Sequence, residues 1–337
     1  MNAIVDQIPS VGLETGADGL LQVVLRQIRY EAKGINSYEF VSADGRDLPA
    51  FTAGAHIDVH IEPGLIRQYS LCNDPRERHR YVIAVLKDPQ GRGGSKRLHE
   101  ILRVQESVSI SVPRNHFELA PVADHAILIA GGIGITPLKS MAHALEEEGT
   151  SFELHYCTRT SETTAFQDDM QGWQSNGKLH LHLDQGNPEK GLCLNTLLAD
   201  IRPNTQVYYC GPQGFMKACA QATEHWPEGT VRCEHFKAPE PREQDAQQLE
   251  NGAFMAQIAS TGQLIHVAAN ESLSDALAGA GVVVPTSCVS GLCGTCRIGY
   301  LSGDVDHQDY ILGPDEQTRY LTACVSRAKT ELLVLDL

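Results

Sequence analysis

Residues 287–299 read SCVSGLCGTCRIG, three cysteines within nine residues, and a fourth, Cys324, follows in LTACVS. Zinc, a disulfide pair and an iron–sulfur cluster are all candidates for what these sulfurs hold. Cys288, Cys293 and Cys296 are spaced C-x4-C-x2-C, with Cys324 after 27 intervening residues. This is the spacing of a plant-type [2Fe–2S] site, in which one loop wraps two irons and a distant strand closes the set. Zinc sites more often pair two C-x2-C knuckles, and this set contains one. Gly291 and Gly294 let backbone N–H groups turn toward the sulfurs, contacts that help set a potential.

The whole chain bounds the alternatives. Its 337 residues suit two or three domains rather than a single core. The 42 acidic and 27 basic residues give a net charge of −15, which disfavours nucleic acid and anionic membrane as partners and also serves plain solubility. The opening MNAIVDQIPSVGLETGADG lacks a basic region followed by an apolar run, and no stretch of the sequence reaches membrane-spanning length. A cytoplasmic location is therefore expected. Ten cysteines in a reducing compartment point to metal, catalysis or burial before disulfides.

The pattern along the chain is multidomain. Segments such as LQVVLRQIRYEA, SYEFVSAD, AHIDVHI, YVIAVLK and SVSISVP alternate apolar and polar residues between turns, predicting an antiparallel β-barrel over 20–120 interrupted by the helix SKRLHEIL. From 125, HAILIAGGIGITPLKSMAHALEEE and the later FELHYCT, LHLHLD and QVYYCGP predict an α/β domain with a parallel sheet over 121–236. A flexible N-terminus (1–19) and the polar linker KAPEPREQDAQQLENG (237–252) flank these, and 253–337 forms a small mixed domain. That last domain resembles the plant-type ferredoxins, which implies a β-grasp fold with FMAQIAST and QLIHVAAN as its opening hairpin and ESLSDALAGAG as the helix before the cluster loop.

Two glycine turns lie where α/β sheets bind ligands, at the C-terminal ends of strands. In AILIAGGIGITPLKSM, Gly131, Gly132 and Gly134 precede a helix with Thr136 as predicted N-cap and Pro137 in its first turn. Small residues there admit a pyrophosphate to the positive helix end. In YYCGPQGFM, Cys210, Gly211 and Pro212 precede another helix. Together the motifs resemble the nicotinamide-binding domain of the ferredoxin–NADP reductase superfamily. The resemblance implies that Thr136 and Cys210 lie near the nicotinamide, although a free cysteine is as readily a small buried hydrophobe. Arg159 in YCTRT and Asp184 in HLDQG follow the next strands, on the adenosine side or as solvated charges, and NADH is the preferred nucleotide.

LIRQYSLCNDP carries Arg67, Tyr69 and Ser70, which resembles the flavin-binding strand of the same superfamily. The resemblance implies that arginine meets the flavin phosphate, tyrosine packs on the ring and serine bonds near N5. In VLKDPQGRGGSKRLHE, Gly93, Gly94 and Ser95 open a helix able to receive that phosphate. FMN is expected rather than FAD, with Phe236 of CEHF against the flavin or in the core.

From about residue 20 onward, the order of barrel, nicotinamide domain and ferredoxin domain resembles the phthalate dioxygenase reductase family and the similar vanillate demethylase and phenoxybenzoate dioxygenase reductases. The resemblance implies electron flow from NADH through FMN and a [2Fe–2S] cluster held by Cys288, Cys293, Cys296 and Cys324, with Ser70, Thr136 and Cys210 nearest the hydride transfer. The implied partner is a Rieske-type oxygenase component docking near Ser290, Gly291 and Leu292. The alternatives are a di-iron or haem monooxygenase acceptor, or a flavin reductase with a zinc-bound interaction module.

Overall fold

Strand β1 (Leu21–Ala32) buries Leu21, Val23 and Leu25 on one face and exposes Gln22 and Arg26 on the other, the alternation of a strand facing a core. In the computed structural model, which describes residues 19–91, 93–120, 124–237 and 252–337, β1 lies inside a six-stranded antiparallel sheet. Its partners are β2 (Ile35–Ser42), β3 (His56–Glu62), β4 (Leu65–Ser70), β5 (Tyr81–Leu86) and β6 (Ser107–Ile110), in the order β4-β3-β6-β1-β2-β5. The two edges are joined where Leu71, just past β4, bridges Ile83 of β5 and Cys72 N–H donates to the Val82 carbonyl at 2.8 Å. This closes the barrel, and helix α1 (Gly94–Ile101) seals it with Leu98, which is fully buried. Burial of one such leucine contributes about 2 kcal/mol.

The second sheet is wholly parallel, in the order β11-β10-β7-β8-β9, formed by β7 (His125–Gly131), β8 (Ser151–Thr158), β9 (Leu179–Leu183), β10 (Thr205–Cys210) and β11 (Val231–Glu234). Alternate residues of β7 serve two cores, as a sheet covered on both faces requires. Ala126, Leu128 and Ala130 meet α2 (Ile135–Glu147) and α3 (Gln171–Ser175). Ile127 and Ile129 meet α4 (Leu194–Leu197) and α5 (Gln213–Ala222). The predicted cap is displaced: a 3-10 turn over Gly132–Gly134 runs directly into α2, which begins at Ile135. Thr136 therefore sits inside the first turn, with its Oγ1 donating to the Ile133 carbonyl at 3.1 Å.

The C-terminal part is a mixed sheet ordered β13-β12-β18-β14-β16. It comprises β12 (Phe254–Ile258), β13 (Leu264–Val267), β14 (Arg297–Ser302), β16 (Tyr320–Thr322) and β18 (Leu332–Asp336), with β15 (Val305–Asp306) and β17 (Arg327–Ala328) forming a separate ribbon. The expected hairpin is β12–β13, and the expected helix is α6 (Leu273–Gly279), capped where Ser272 Oγ accepts from Asp275 N–H at 3.1 Å. A short α7 (Pro314–Gln317) precedes β16. The parallel β12–β18 pair at the centre completes the β-grasp arrangement. The proposed N-terminal segment and linker fall outside the described residues, apart from Gly19, Lys237 and Gly252.

Arg327 holds this domain at one corner. Its guanidinium is buried against the Phe254 ring and donates to the Glu271, Ala268 and Gly252 carbonyls at 2.6, 2.9 and 3.2 Å. Methionine fills a similar volume but orphans three acceptors, so Arg327→Met is expected to cost about 3 kcal/mol. Calorimetry would detect this as a transition moved to lower temperature.

Candidate functional site

The site is assembled where the barrel, the parallel sheet and the cysteine loop meet. Arg67 and Ser70 both lie on β4, and Arg67 runs alongside the start of α1. A β-carbon at Gly94 would overlap the Arg67 side chain, and Gly93 has φ +84°, so this approach of strand to helix end requires the two glycines. Arg67 and the α1 N-terminus thus lie side by side, an arrangement that can receive a phosphate. Ser95 shapes the turn, its Oγ accepting from Asp88 N–H at 3.1 Å. Tyr69 packs against the barrel core, and burial holds its phenol well above the usual range.

At the end of the same strand, Ser70 Oγ donates to Glu234 Oε2 at 3.1 Å. Glu234 ends β11 and stands level with Cys210 of β10 in the parallel register. Burial pushes the Glu234 carboxyl up to about 8, against the opposing effect of the Ser70 hydrogen bond. Its Oε1 lies 4.0 Å from Nδ1 of His56, a fully buried imidazole with neither ring nitrogen hydrogen-bonded within the described structure. Burial, then the charges of Arg114 and His116, lower His56 to about 3, so it is neutral at physiological pH. Neither Glu234 nor His56 was singled out from sequence. Glu234 sits in the quoted CEHF beside Phe236 and could have been noticed there, whereas His56 carries no local signal.

The glycine turns interlock. Gly134 lies against the Cys210 carbonyl with no room for a β-carbon, and one on Gly211 would lie 2.6 Å from Phe215 Cδ1 and 3.0 Å from Gly131 Cα. The ends of β7 and β10 therefore present a floor of backbone beside Pro212 and the left-handed Gly132, φ +54°. Thr136 and Cys210 are buried behind it, and burial, then Glu234, raises the Cys210 thiol, leaving it neutral. Arg159 and Asp184 follow the adjacent strands at the same edge: Arg159 is exposed, and Asp184 Oδ1 accepts from Gly186 N–H at 2.7 Å. Phe236 is 40% exposed, which rules out the core reading.

The four cysteine sulfurs converge. Sγ of Cys296 and Sγ of Cys324 are 3.2 Å apart, Leu292 N–H donates to Cys288 Sγ at 3.4 Å, and Thr295 Oγ1 lies 3.2 Å from Cys293 Sγ. Val289, Gly291 and Gly294 are all left-handed, wrapping the loop inward. Four thiols around a loop with inward N–H groups fit a cluster of two irons. The expected docking tip needs correction. Gly291 is buried, with space for a β-carbon closed by Val325 Cγ2 at 2.8 Å and Asp309 Cα at 2.9 Å, and Ser290 and Leu292 are half-buried. Val289, 48% exposed, is the outward residue.

The loop is pinned to the barrel. Asp58 on β3 accepts from Ser287 Oγ at 3.0 Å and from Arg114 at 2.7 Å, and the same Arg114 nitrogen reaches Thr295 Oγ1 at 3.2 Å. Asp58 pairs in register with Gln68 of β4, next to Tyr69. No helix of the described residues is long and apolar enough to cross a membrane.

Comparisons with known proteins agree with this layout. A family model described as a 2Fe-2S iron–sulfur cluster binding domain matches residues 256–329, spanning all four cysteines, and an oxidoreductase NAD-binding domain matches 128–221. The reductase subunit of a tert-butanol monooxygenase / tert-amyl alcohol desaturase from Aquincola tertiaricarbonis is 49% identical over 94% of this chain and 96% of its own. Phthalate dioxygenase reductase from Burkholderia cepacia is 41% identical over 95% and 98%. A solved phthalate dioxygenase reductase, described as modular for electron transfer from pyridine nucleotides to [2Fe-2S], is 41% identical with a TM-score of 0.71, covering 95% of this chain and 99% of that one. An intact type IV self-sufficient cytochrome P450 monooxygenase is 34% identical with a TM-score of 0.85, covering 94% of this chain but 41% of that one. With the reductase relatives aligned nearly end to end, the chain belongs to the phthalate dioxygenase reductase family, as an NAD(P)H-dependent flavin and iron–sulfur oxidoreductase using FMN, NADH and a [2Fe–2S] cluster.

Proposed function

We propose that this chain is the reductase component of a Rieske-type non-haem iron oxygenase system. The observation that carries the electron path is the Asp58 junction, which fastens the cysteine loop to the strand beside the flavin strand. The class of acceptor rests on the resemblance to dioxygenase and demethylase reductases. When bound, the flavin converts the two-electron hydride of NADH into single electrons for the cluster.

The chain's own residues bind, orient and exclude water. Arg67 with the Gly93–Gly94 end of α1 holds the FMN phosphate, Ser95 keeps that turn closed, and Tyr69 and Phe236 flank the ring. Gly131, Gly132, Gly134, Gly211 and Pro212 offer backbone to the dinucleotide, and Thr136 and Cys210 frame the nicotinamide. Arg159 and Asp184 take the adenosine side; an arginine there can pair a 2′-phosphate, and the preference for NADH rests on the resemblance to NADH-using relatives. Cys288, Cys293, Cys296 and Cys324 ligate the cluster. A haem acceptor is the second reading, favoured by the match to the self-sufficient P450.

The test is NADH-dependent product formation with candidate oxygenase components. Coupled turnover with a Rieske oxygenase is expected, and turnover with P450 partners alone contradicts the acceptor. In the same assay Cys324→Ser is expected to lose iron and product formation while NADH still bleaches the flavin.

Glu234 makes the hydride step pH-dependent. Below its pKa of about 8 the protonated carboxyl can donate to Ser70 Oγ, which frees the Ser70 hydrogen to turn toward the flavin. Above it the carboxylate holds that hydrogen. Flavin reduction by NADH, followed by anaerobic stopped-flow, is expected to slow as pH rises through about 8, and Glu234→Gln is expected to remove the inflection.

A further inference from the structure

The strand LHLHL of β9 places leucines on one face of the parallel sheet and His180 and His182 on the other. The electron path makes no use of these histidines. The face they occupy is the one on which Ile127, Ile129 and Val207 pack beneath α4 and α5. Over β8 and β9 the corresponding positions are Glu153, His155, His180 and His182 instead of aliphatic residues. His155 and His180 are register partners on the two strands, with rings stacked at 4.8 Å, and His155 stacks on His182 at 5.3 Å.

The donor atoms converge. One atom each from Glu153, His155 and His180 lies within 4.8 Å of the others. His155 Nε2 is 3.2 Å from Glu153 Oε2, while His155 Nδ1 is 3.0 Å from His182 Nε2. The other carboxylate oxygen, Oε1, is occupied by Arg202 at 2.8 Å and His125 at 3.4 Å, which fixes the carboxylate plane and leaves Oε2 facing the imidazoles. His155 is buried at the back of the group and His180 is exposed at its mouth, giving an ion a route in.

We propose that Glu153 Oε2, His155 Nε2 and His180 form a binding site for a divalent cation of the zinc class, with a fourth position open to water. Two imidazoles and a carboxylate are a known zinc donor set, and the mixture of nitrogen and oxygen excludes calcium and magnesium as the preferred ions. His182 is a positioning residue: by accepting from His155 Nδ1–H it fixes the tautomer that directs the Nε2 lone pair at the ion. The bound ion clamps edge strand β9 to β8, directly before Asp184. This site is independent of the reading of the electron acceptor.

The test uses holoprotein prepared without a polyhistidine tag, dialysed against zinc chloride, with zinc and iron both counted by elemental analysis and affinity measured by calorimetry. One zinc per chain is expected with iron unchanged, with affinity falling at least ~10-fold in His182→Ala and further in His180→Ala. His180 is exposed, so its loss leaves the fold intact. His225→Ala, at an exposed histidine outside the group, is expected to bind as wild type. Absence of zinc uptake by the wild type, equal uptake by His180→Ala, or zinc gained only as iron is lost would each overturn the proposal.

Discussion

Asp58 is the constraint on which the arrangement depends. A carboxylate buried on a barrel strand must be paired and hydrogen-bonded to be tolerated. Its two oxygens are divided between the partners that matter: Ser287, at the mouth of the cysteine loop, and Arg114, which also reaches Thr295 within that loop. Removing any one partner strands a buried charge or polar group, so barrel and loop are fixed together far more firmly than a surface ion pair would hold them. Because Asp58 is register partner to Gln68, between Arg67 and Tyr69, the pinning acts beside the flavin strand itself.

Around that charged pair the remaining titratable groups at the junction are held neutral. Burial raises Glu234 and the Cys210 thiol and lowers His56, each toward its uncharged form. With these three groups neutral, the electrostatics of the junction are set by the few charges that remain, Asp58 and Arg114 among them. Glu234 is the one whose titration falls closest to physiological pH, and it comes from the parallel sheet while its Ser70 partner comes from the barrel. The contact between these two domains therefore includes a titratable group as well as packing.

Much of this was legible in the chain because the cofactors impose local spacing. A cluster requires four thiolates at set intervals, a pyrophosphate requires glycine where backbone must approach, and both leave marks within a dozen residues. Strand alternation gave the barrel and the parallel sheet for the same local reason. What was not legible depends on contacts between distant segments. Thr136 is a reasonable cap by residue type, but the preceding 3-10 turn moves the cap two residues earlier, to Gly134. Gly291 reads as a tip by its position between cysteines, yet Tyr310 N–H donates to its carbonyl and Val325 closes over it. Asp58 and His56 lie on β3 of one sheet and Glu234 ends β11 of another, and their meeting leaves no sequence pattern.

The central claim is that electrons pass from the flavin to the cysteine-bound cluster across the Asp58 junction. Anaerobic stopped-flow of the holoprotein with NADH, following flavin and cluster absorption separately in wild type and Asp58→Ala, tests it most directly. The account predicts flavin reduction at an unchanged rate and cluster reduction slowed at least ~10-fold, roughly 1.4 kcal/mol in barrier. Cluster reduction at the wild-type rate in Asp58→Ala, with the cluster intact by iron content, would contradict it.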